Sequence, residues 1–419
     1  MSLLDREAEG NQPPTVAAPG LKGLIVTDTE VGDVRGDEGF YHYREYAATE
    51  LAVARSLDDV WRLMQDGELP TTAEEQEVFA AEVRPLRALP PEFAELLGGL
   101  SVAAGGGADL ATLRTGLSSL ACADGMQPVW GLDHRRLRRD LLRLAAVTPT
   151  LVATLQRSRL GLAPVEPDAS LGHVANYLYM LNGSEPDPVS VRALEQYLIL
   201  TVDHGFNAST FTARVIASTG ADAGAAVTGA MGALSGPLHG GAPSRALEML
   251  EAIGAPERAQ QWVRDAVERG DRIMGFGHPV YRTDDPRNVM LRQVAQGLGG
   301  DVVNPAVDVE RIITSTLAGM KPDRPLKANV EYYAGVVMAR CGLPAELFTP
   351  TFTVSRVMGW CANIAEQAGD RHIIRPSARY VGPAAPAPVP PAPDERASTD
   401  PGHRQTKRWD APVIRQGAV

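Results

Sequence analysis

The chain has 419 residues, 44% of them apolar and only 5% aromatic, with Ala and Leu recurring throughout, so it is long enough for a large core and favours packed helices over sheets. A formal net charge of -11 leaves no basic face for a phosphate backbone, and nucleic acid is not expected as a partner. The three cysteines, Cys122, Cys341 and Cys361, form no CxxC pair, and they read as buried small residues of a chain in a reducing cytosol.

Residues 1–20 carry Asp5, Glu7 and Glu9 without an apolar run, matching neither a secretory signal nor a transit peptide, and are expected to be disordered. No stretch approaches the roughly 18 apolar residues of a membrane span, so a cytoplasmic protein with no membrane partner is expected. Residues 21–46 alternate and are broken by Gly and Asp, which predicts short strands or hairpins. From Ala47 the spacing becomes helical and runs to Gly67 and Pro70. Further helices are predicted at 74–85, 91–99, 107–122, 135–158, 173–182 and 188–203. The Ala, Gly, Ser and Thr-rich stretch after Asn207 contains Arg214 and Asp222, which favours a buried soluble helix pair over a membrane helix. The tail is dense in Pro and charge and is expected to be disordered, or an arm laid on another subunit.

Three of the eight histidines lie in Gly-rich or turn-like strings: His204 in DHGFNAST, His239 in SGPLHGGAP and His278 in MGFGHPVYR. Glycines beside His239 free the backbone to approach a ligand. No HExxH, closely spaced His pair or nearby Cys set is present, so no metal is expected. GFGHPV follows a charged helix, not a strand, and is a poor dinucleotide loop. In ANVEYYAGVVMARCG, Asn329 is a natural N-cap that places Glu331 in the first helical turn, where the dipole favours a carboxylate and burial opposes it. Read alone, Glu331 is more readily a plain, dipole-matched surface glutamate. Arg282, Arg287, Arg356 and Arg375 supply guanidinium groups suited to small polycarboxylates. Arg356 lies in an apolar run, where burial would demand an anionic partner.

Taken in order and spacing, DHGFNASTFTARVIAST, GALSGPLHGGA, GFGHPVYRTDDPR, NVEYYAGVV, FTVSRVMGWCANIAEQ and IIRPSARYVGP resemble the citrate synthase family across roughly residues 20 to 383. The resemblance implies a mainly α, two-domain multi-helical fold with short N-terminal β hairpins. A large domain would comprise 21–239 and 351–383, and a small one, 240–350, would close over the substrates; the Pro-rich tail would begin at 384. It implies a homodimer in which Arg375 crosses to the partner's site. It further implies that His239, His278 and Glu331 are catalytic, and that His204, Arg287, Arg356 and Arg375 bind oxaloacetate. Arg282 and Arg324 would hold the CoA phosphates, Gly275, Phe276 and Gly277 would lie against its adenine, and Ser209 and Asn207 would orient a catalytic histidine. Acetyl-CoA would be the co-substrate, with no permanently bound cofactor and no metal. The implied reaction is condensation with oxaloacetate to citrate; 2-methylcitrate synthesis from propionyl-CoA, or a catalytically weak CoA- or dicarboxylate-binding paralogue, are the alternatives. Glu331 stands where most members of the family have Asp, and NVE with GPLHGGAP resembles the second citrate synthase type of actinobacteria. Pro279 replaces the more usual Arg or Ala after His278.

Overall fold

The N-terminal hairpins form a single antiparallel sheet of β1 (Gly32–Arg35), β2 (Phe40–Tyr43) and β3 (Tyr46–Ala47), in that order, with Gly32 opposite Tyr43 and Arg35 opposite Phe40. The computed structural model describes residues 15–103, 110–240, 242–278, 280–322 and 326–389. Along β2 the period of two buries Tyr41 and Tyr43 and leaves Phe40 and His42 half-buried. The rest is helical: α1 (Ala48–Ala54), α2 (Leu57–Asp66), α3 (Ala73–Val83), α4 (Pro91–Ala103), α5 (Leu110–Ala123), α6 (His134–Arg159), α7 (His173–Asn182), α8 (Pro188–Thr201), α9 (Ala208–Ser218), α10 (Ala223–Leu234), α11 (Ala242–Ile253), α12 (Pro256–Glu268), α13 (Pro286–Leu298), α14 (Val303–Met320), α15 (Val330–Arg340) and α16 (Phe348–Gly369).

Most starts follow from capping residues. Asp133, Asp187, Asn207, Asp222, Asp285 and Asn329 each accept a backbone N–H from the first turn that follows, satisfying a donor the helix itself cannot. The helix predicted from Ala47 is two helices, because Ser56 and Asp59 form a capping box that starts α2 afresh after Arg55 turns extended. Cys122 is exposed, unlike Cys341 and Cys361, correcting its expected burial. It follows the apolar face of α5, where Leu113, Leu117, Leu120 and Ala121 are buried.

Residues 15–375 form one compact unit, and residues 376–389, in a second unit, carry no helix or strand. At the centre of the larger unit lies α16, buried on almost every side and packed against α6, α9, α10, α2 and α8. One glycine sets how closely it approaches the end of α8: a Cβ at Gly359 would fall on the Val202 carbonyl oxygen. Arg214 of α9 pairs with Glu366 of α16, and Glu366 also accepts the Glu30 N–H at 2.7 Å, tying the N-terminal sheet to the helical core. No helix among the described residues is long and apolar enough to cross a membrane.

Candidate active site

The end of α8 and the loop after it are pinned from two directions. From β2, Tyr41 donates to Leu200 O at 3.0 Å, and Tyr43 lies 2.9 Å from Ile199 O and 3.2 Å from Asp203 O. From α16, Arg356 Nε donates to Thr201 O at 2.8 Å, and Asn363 Nδ2 to Asp203 Oδ1 at 3.4 Å. Asp203 then takes the Gly205 N–H at 3.1 Å, which shapes the turn carrying His204. Burial raises the Asp203 carboxyl to about 6, with the Arg356 charge opposing. His204 is held well below its ordinary pKa, first by burial and then by Arg287 and Arg356, so it is neutral. Its Nε2 meets the Tyr281 hydroxyl at 2.9 Å, and its ring stands edge-on to His278 with centroids 5.6 Å apart.

His239 sits just before α11 and is oriented by the start of α9. The Ser209 N–H donates to His239 Nε2 at 3.3 Å, and the Ser209 hydroxyl lies 2.9 Å from the same nitrogen. With the Ser209 N–H directed at it, Nε2 is assigned as an acceptor and the ring proton to Nδ1. Ser209 is itself fixed, with Asn207 Oδ1 2.8 Å from its hydroxyl and Trp360 Nε1 donating to it at 3.1 Å. Burial, then the Arg356 charge, lowers the His239 pKa to about 4. This imidazole is neutral at physiological pH and offers one N–H.

His278 reaches the same condition by another route. Its Nδ1 accepts the N–H groups of Val280 and Tyr281 at 3.0 and 3.1 Å, which leaves the proton on Nε2. Burial and Arg287 hold its pKa near 4. Arg287 Nη2, which can only donate, lies 3.2 Å from His278 Nε2. Two donors at that separation do not bond each other; they form a pair that one anionic or carbonyl oxygen can satisfy together.

The loop before His278 is stitched to the start of α15. Gly277 N donates to Lys327 O at 2.7 Å, Asn329 N to Gly275 O at 2.9 Å, and Asn329 Nδ2 to Gly277 O at 2.9 Å. Gly275 adopts φ +77°, open to glycine at little cost, and a Cβ there would crowd Tyr332. Asn329 Oδ1 also caps α15 by accepting the Glu331 N–H at 3.0 Å. Glu331 is mostly buried, and burial lifts its carboxyl to about 7, with Arg287 opposing and Asp285 adding to the rise. Its placement at the capped start of α15, only partly exposed and within the field of Arg287 and Asp285, replaces the plain surface reading of Glu331.

His204, His278, Arg287 and Glu331 thus share one region, and Arg356, 2% exposed, links it electrostatically to His239. Ser209 and Asn207 stand behind His239, while Gly275, Phe276 and Gly277 line the approach to α15. Arg282 and Arg375 are exposed and make no part of this buried cluster. Arg324 and Pro279 lie outside the described residues. Sequence reasoning missed Asp285, Tyr281, Asp203 and Trp360. The Asp-Pro-Arg string carried the signal for Asp285, an N-cap before a helix-starting proline. Among the described residues, no group of three or more His, Cys, Asp or Glu side chains is arranged to hold a metal ion.

A family model described as citrate synthase, C-terminal domain, matches residues 20–377. A citrate synthase of Haloferax volcanii is 37% identical over 370 residues, covering 87% of this chain and 95% of that protein. Citrate synthase 2 of Bacillus subtilis is 37% identical over 372 residues, covering 88% and 96%. Among solved structures, citrate synthase from Thermotoga maritima superposes with a TM-score of 0.77 at 33% identity, over 88% of this chain and 97% of that one. The Thermoplasma acidophilum citrate synthase, a ternary complex with carboxymethyl coenzyme A and oxaloacetate, gives a TM-score of 0.81 at 26% identity, over 89% and 98%.

Proposed function

The chain belongs to the citrate synthase family, and from that premise we propose that it condenses acetyl-CoA with oxaloacetate and water to give citrate and CoA. What carries the reading is the convergence of His278 Nε2 and Arg287 Nη2, 3.2 Å apart, with the mostly buried Glu331 carboxyl on the first turn of α15, which burial raises to about 7.

Glu331, ionised, removes a proton from the methyl group of the acetyl thioester. Negative charge passes to the thioester oxygen, where His239 donates from Nδ1; the tautomer fixed by Ser209 is the one this requires. The enol carbon bonds to the ketone carbon of oxaloacetate as the carbonyl π electrons move to oxygen. That oxygen receives hydrogen bonds from His278 Nε2 and Arg287 Nη2, and His278 delivers the proton that completes the alcohol. Neutral imidazoles suit both tasks, because each donates without stabilising the separated ground state as strongly as a cation would. His204, Arg287 and Arg356 orient the dicarboxylate for attack. Water then cleaves the citryl thioester, adding OH to the acyl carbon and H to sulfur, and CoA leaves.

Glu331, His278 and Arg287 fall within 240–350, which we assign to a small domain closing on the segments that carry His204, Ser209 and Arg356. Arg282, which is exposed, is assigned with Arg324 to the CoA phosphates, and residues 275–277 to the adenine. Arg375, exposed in the single chain, is assigned to the active site of a partner subunit in a cytoplasmic homodimer.

The test is CoA release by the purified protein with oxaloacetate, comparing acetyl-CoA with propionyl-CoA and identifying products by mass. Citrate with the higher kcat/KM for acetyl-CoA is expected. A higher kcat/KM for propionyl-CoA would make the enzyme a 2-methylcitrate synthase, and no product from either would overturn the reading.

A further inference from the structure

Four hydrogen bonds end on one carboxylate that has no place in the reaction just described. Asp285 is 1% exposed. Its Oδ1 accepts Arg287 N at 3.0 Å and Arg287 Nε at 2.9 Å; its Oδ2 accepts Arg287 Nη2 at 2.8 Å and, from a different helix, Val330 N at 3.0 Å. Val330 is the first residue of α15 and Glu331 the second. One side chain therefore caps α13, sets the plane of the Arg287 guanidinium and grips the helix start that bears Glu331. His278 stands beside this junction, held by the Val280 and Tyr281 N–H groups, with its Nε2 3.2 Å from Arg287 Nη2.

We infer that Asp285 is a positioning residue that holds Arg287 and the Glu331-bearing start of α15 as one rigid half-site beside His278, fixing the distance between the ketone-binding guanidinium and the proton-abstracting carboxylate. This rests on the function proposed above. Saturating a buried carboxylate with one bidentate guanidinium and backbone N–H groups gives a junction with a single low-energy geometry. The remaining half-site, His204, His239 and Arg356, is held by other contacts, from β2, α9 and α16. The two halves meet where the Tyr281 hydroxyl lies 2.9 Å from His204 Nε2. Burial raises the Asp285 carboxyl while Arg287 and its hydrogen bonds lower it further, so it remains ionised, and its charge in turn raises Glu331.

Two substitutions separate these tasks. Val330→Pro removes only the N–H that Asp285 accepts, at a first helical position where proline is favoured, after an Asn329 already extended at φ -109°, ψ 177°. Val330→Ala, which keeps the N–H, is its reference for the lost side chain. Relative to that reference, Val330→Pro is expected to lower kcat about tenfold or more while changing oxaloacetate affinity by calorimetry less than about threefold, since a displacement near 1 Å already costs about 100-fold. Asp285→Asn, which can still cap α13, is expected to weaken oxaloacetate binding about tenfold or more and to move the acid limb of kcat to lower pH. The inference is overturned if Val330→Pro turns over like Val330→Ala, or if folded Asp285→Asn keeps both its oxaloacetate affinity and its pH profile. Should Asp285→Asn not fold, the Val330 pair decides alone. Wild-type turnover separates the two readings: without it the proposed function falls, and Asp285 is still tested by oxaloacetate affinity.

Discussion

Two buried Asp–Arg–His clusters in this molecule look alike in composition and differ in nearly everything else. Around Asp285, Arg287 and His278, every charged atom named has a partner near 3 Å, and the Asp285 and Arg287 charges reinforce each other against burial. Around Asp58 of α2, Arg87 and His173 of α7, the pairing is loose. Arg87 Nη2 stands 3.6 Å from Asp58 Oδ1, and Asp58 Oδ1, Arg87 Nε and both His173 ring nitrogens make no hydrogen bond among the described residues. There burial wins, raising Asp58 and lowering Arg87 and His173. The His173 ring packs edge-on to Trp61, and Asp58 and Arg87 line a cavity of about 250 Å³. A buried arginine and histidine beside a raised carboxyl are thus common to both clusters; what sets apart the one proposed as catalytic is a pair of donors converging on one point.

The largest effect that would break this comparison lies at Glu331. Glu331→Gln should lower kcat by about 10²- to 10⁴-fold, the usual reach of a general base, while oxaloacetate still binds. Near-normal turnover in a stopped assay of CoA release would remove Glu331 from the mechanism. Next come the two arginines. Arg287→Met should cost about 2–5 kcal/mol in kcat/KM for oxaloacetate by stripping a buried charge from its partner. Arg87→Met should leave kcat/KM of the folded enzyme within about twofold and lower thermal stability, by about 3 kcal/mol or less because the pair is loosely made. Adding Asp58→Asn should return part of that loss in a double-mutant cycle. If Arg87→Met instead impaired oxaloacetate kinetics, the two clusters would be coupled.

A smaller effect is in pH. The acid limb of kcat/KM should fall near the Glu331 value of about 7, as protonation disables the base. The stability sign is opposite to that of a salt-bridged acid: a carboxyl raised in the folded state holds its proton more tightly folded than unfolded. Its contribution is present below the ordinary carboxylate range and is lost as pH rises through about 7. Glu331→Gln should therefore gain a few degrees of Tm over wild type, by about 1–2 °C per kcal/mol for a unit of this size, at pH 8 and lose that gain near pH 5. Equal pH dependence of Tm in the two proteins would contradict the buried placement of Glu331. The smallest effect is expected at exposed Arg282: Arg282→Ala should raise KM for acetyl-CoA severalfold, by about 1 kcal/mol or less, and less still at high salt.

Sequence alone determined the helices whose signals are local. The caps at Asp187, Asn207 and Asn329 and the apolar spacing behind them lie within a few residues, so α7, α8, the α9–α10 pair and α15 could be read directly. The order of the histidine and arginine strings marked the family in the same way. Only the tertiary structure decided which groups meet. Asp285 reaches Val330 across 45 residues, Ser209 reaches His239 across 30, and Arg356 reaches Thr201 across 155. The Gly-rich string around His278 set it apart from His173, but its tautomer and paired donor, against a His173 ring packed on Trp61 with no hydrogen bond among the described residues, appear only in the fold. Capping and periodicity act over one or two helical turns, whereas a tautomer, a raised carboxyl or a converging pair of donors depends on which distant helix ends are packed together.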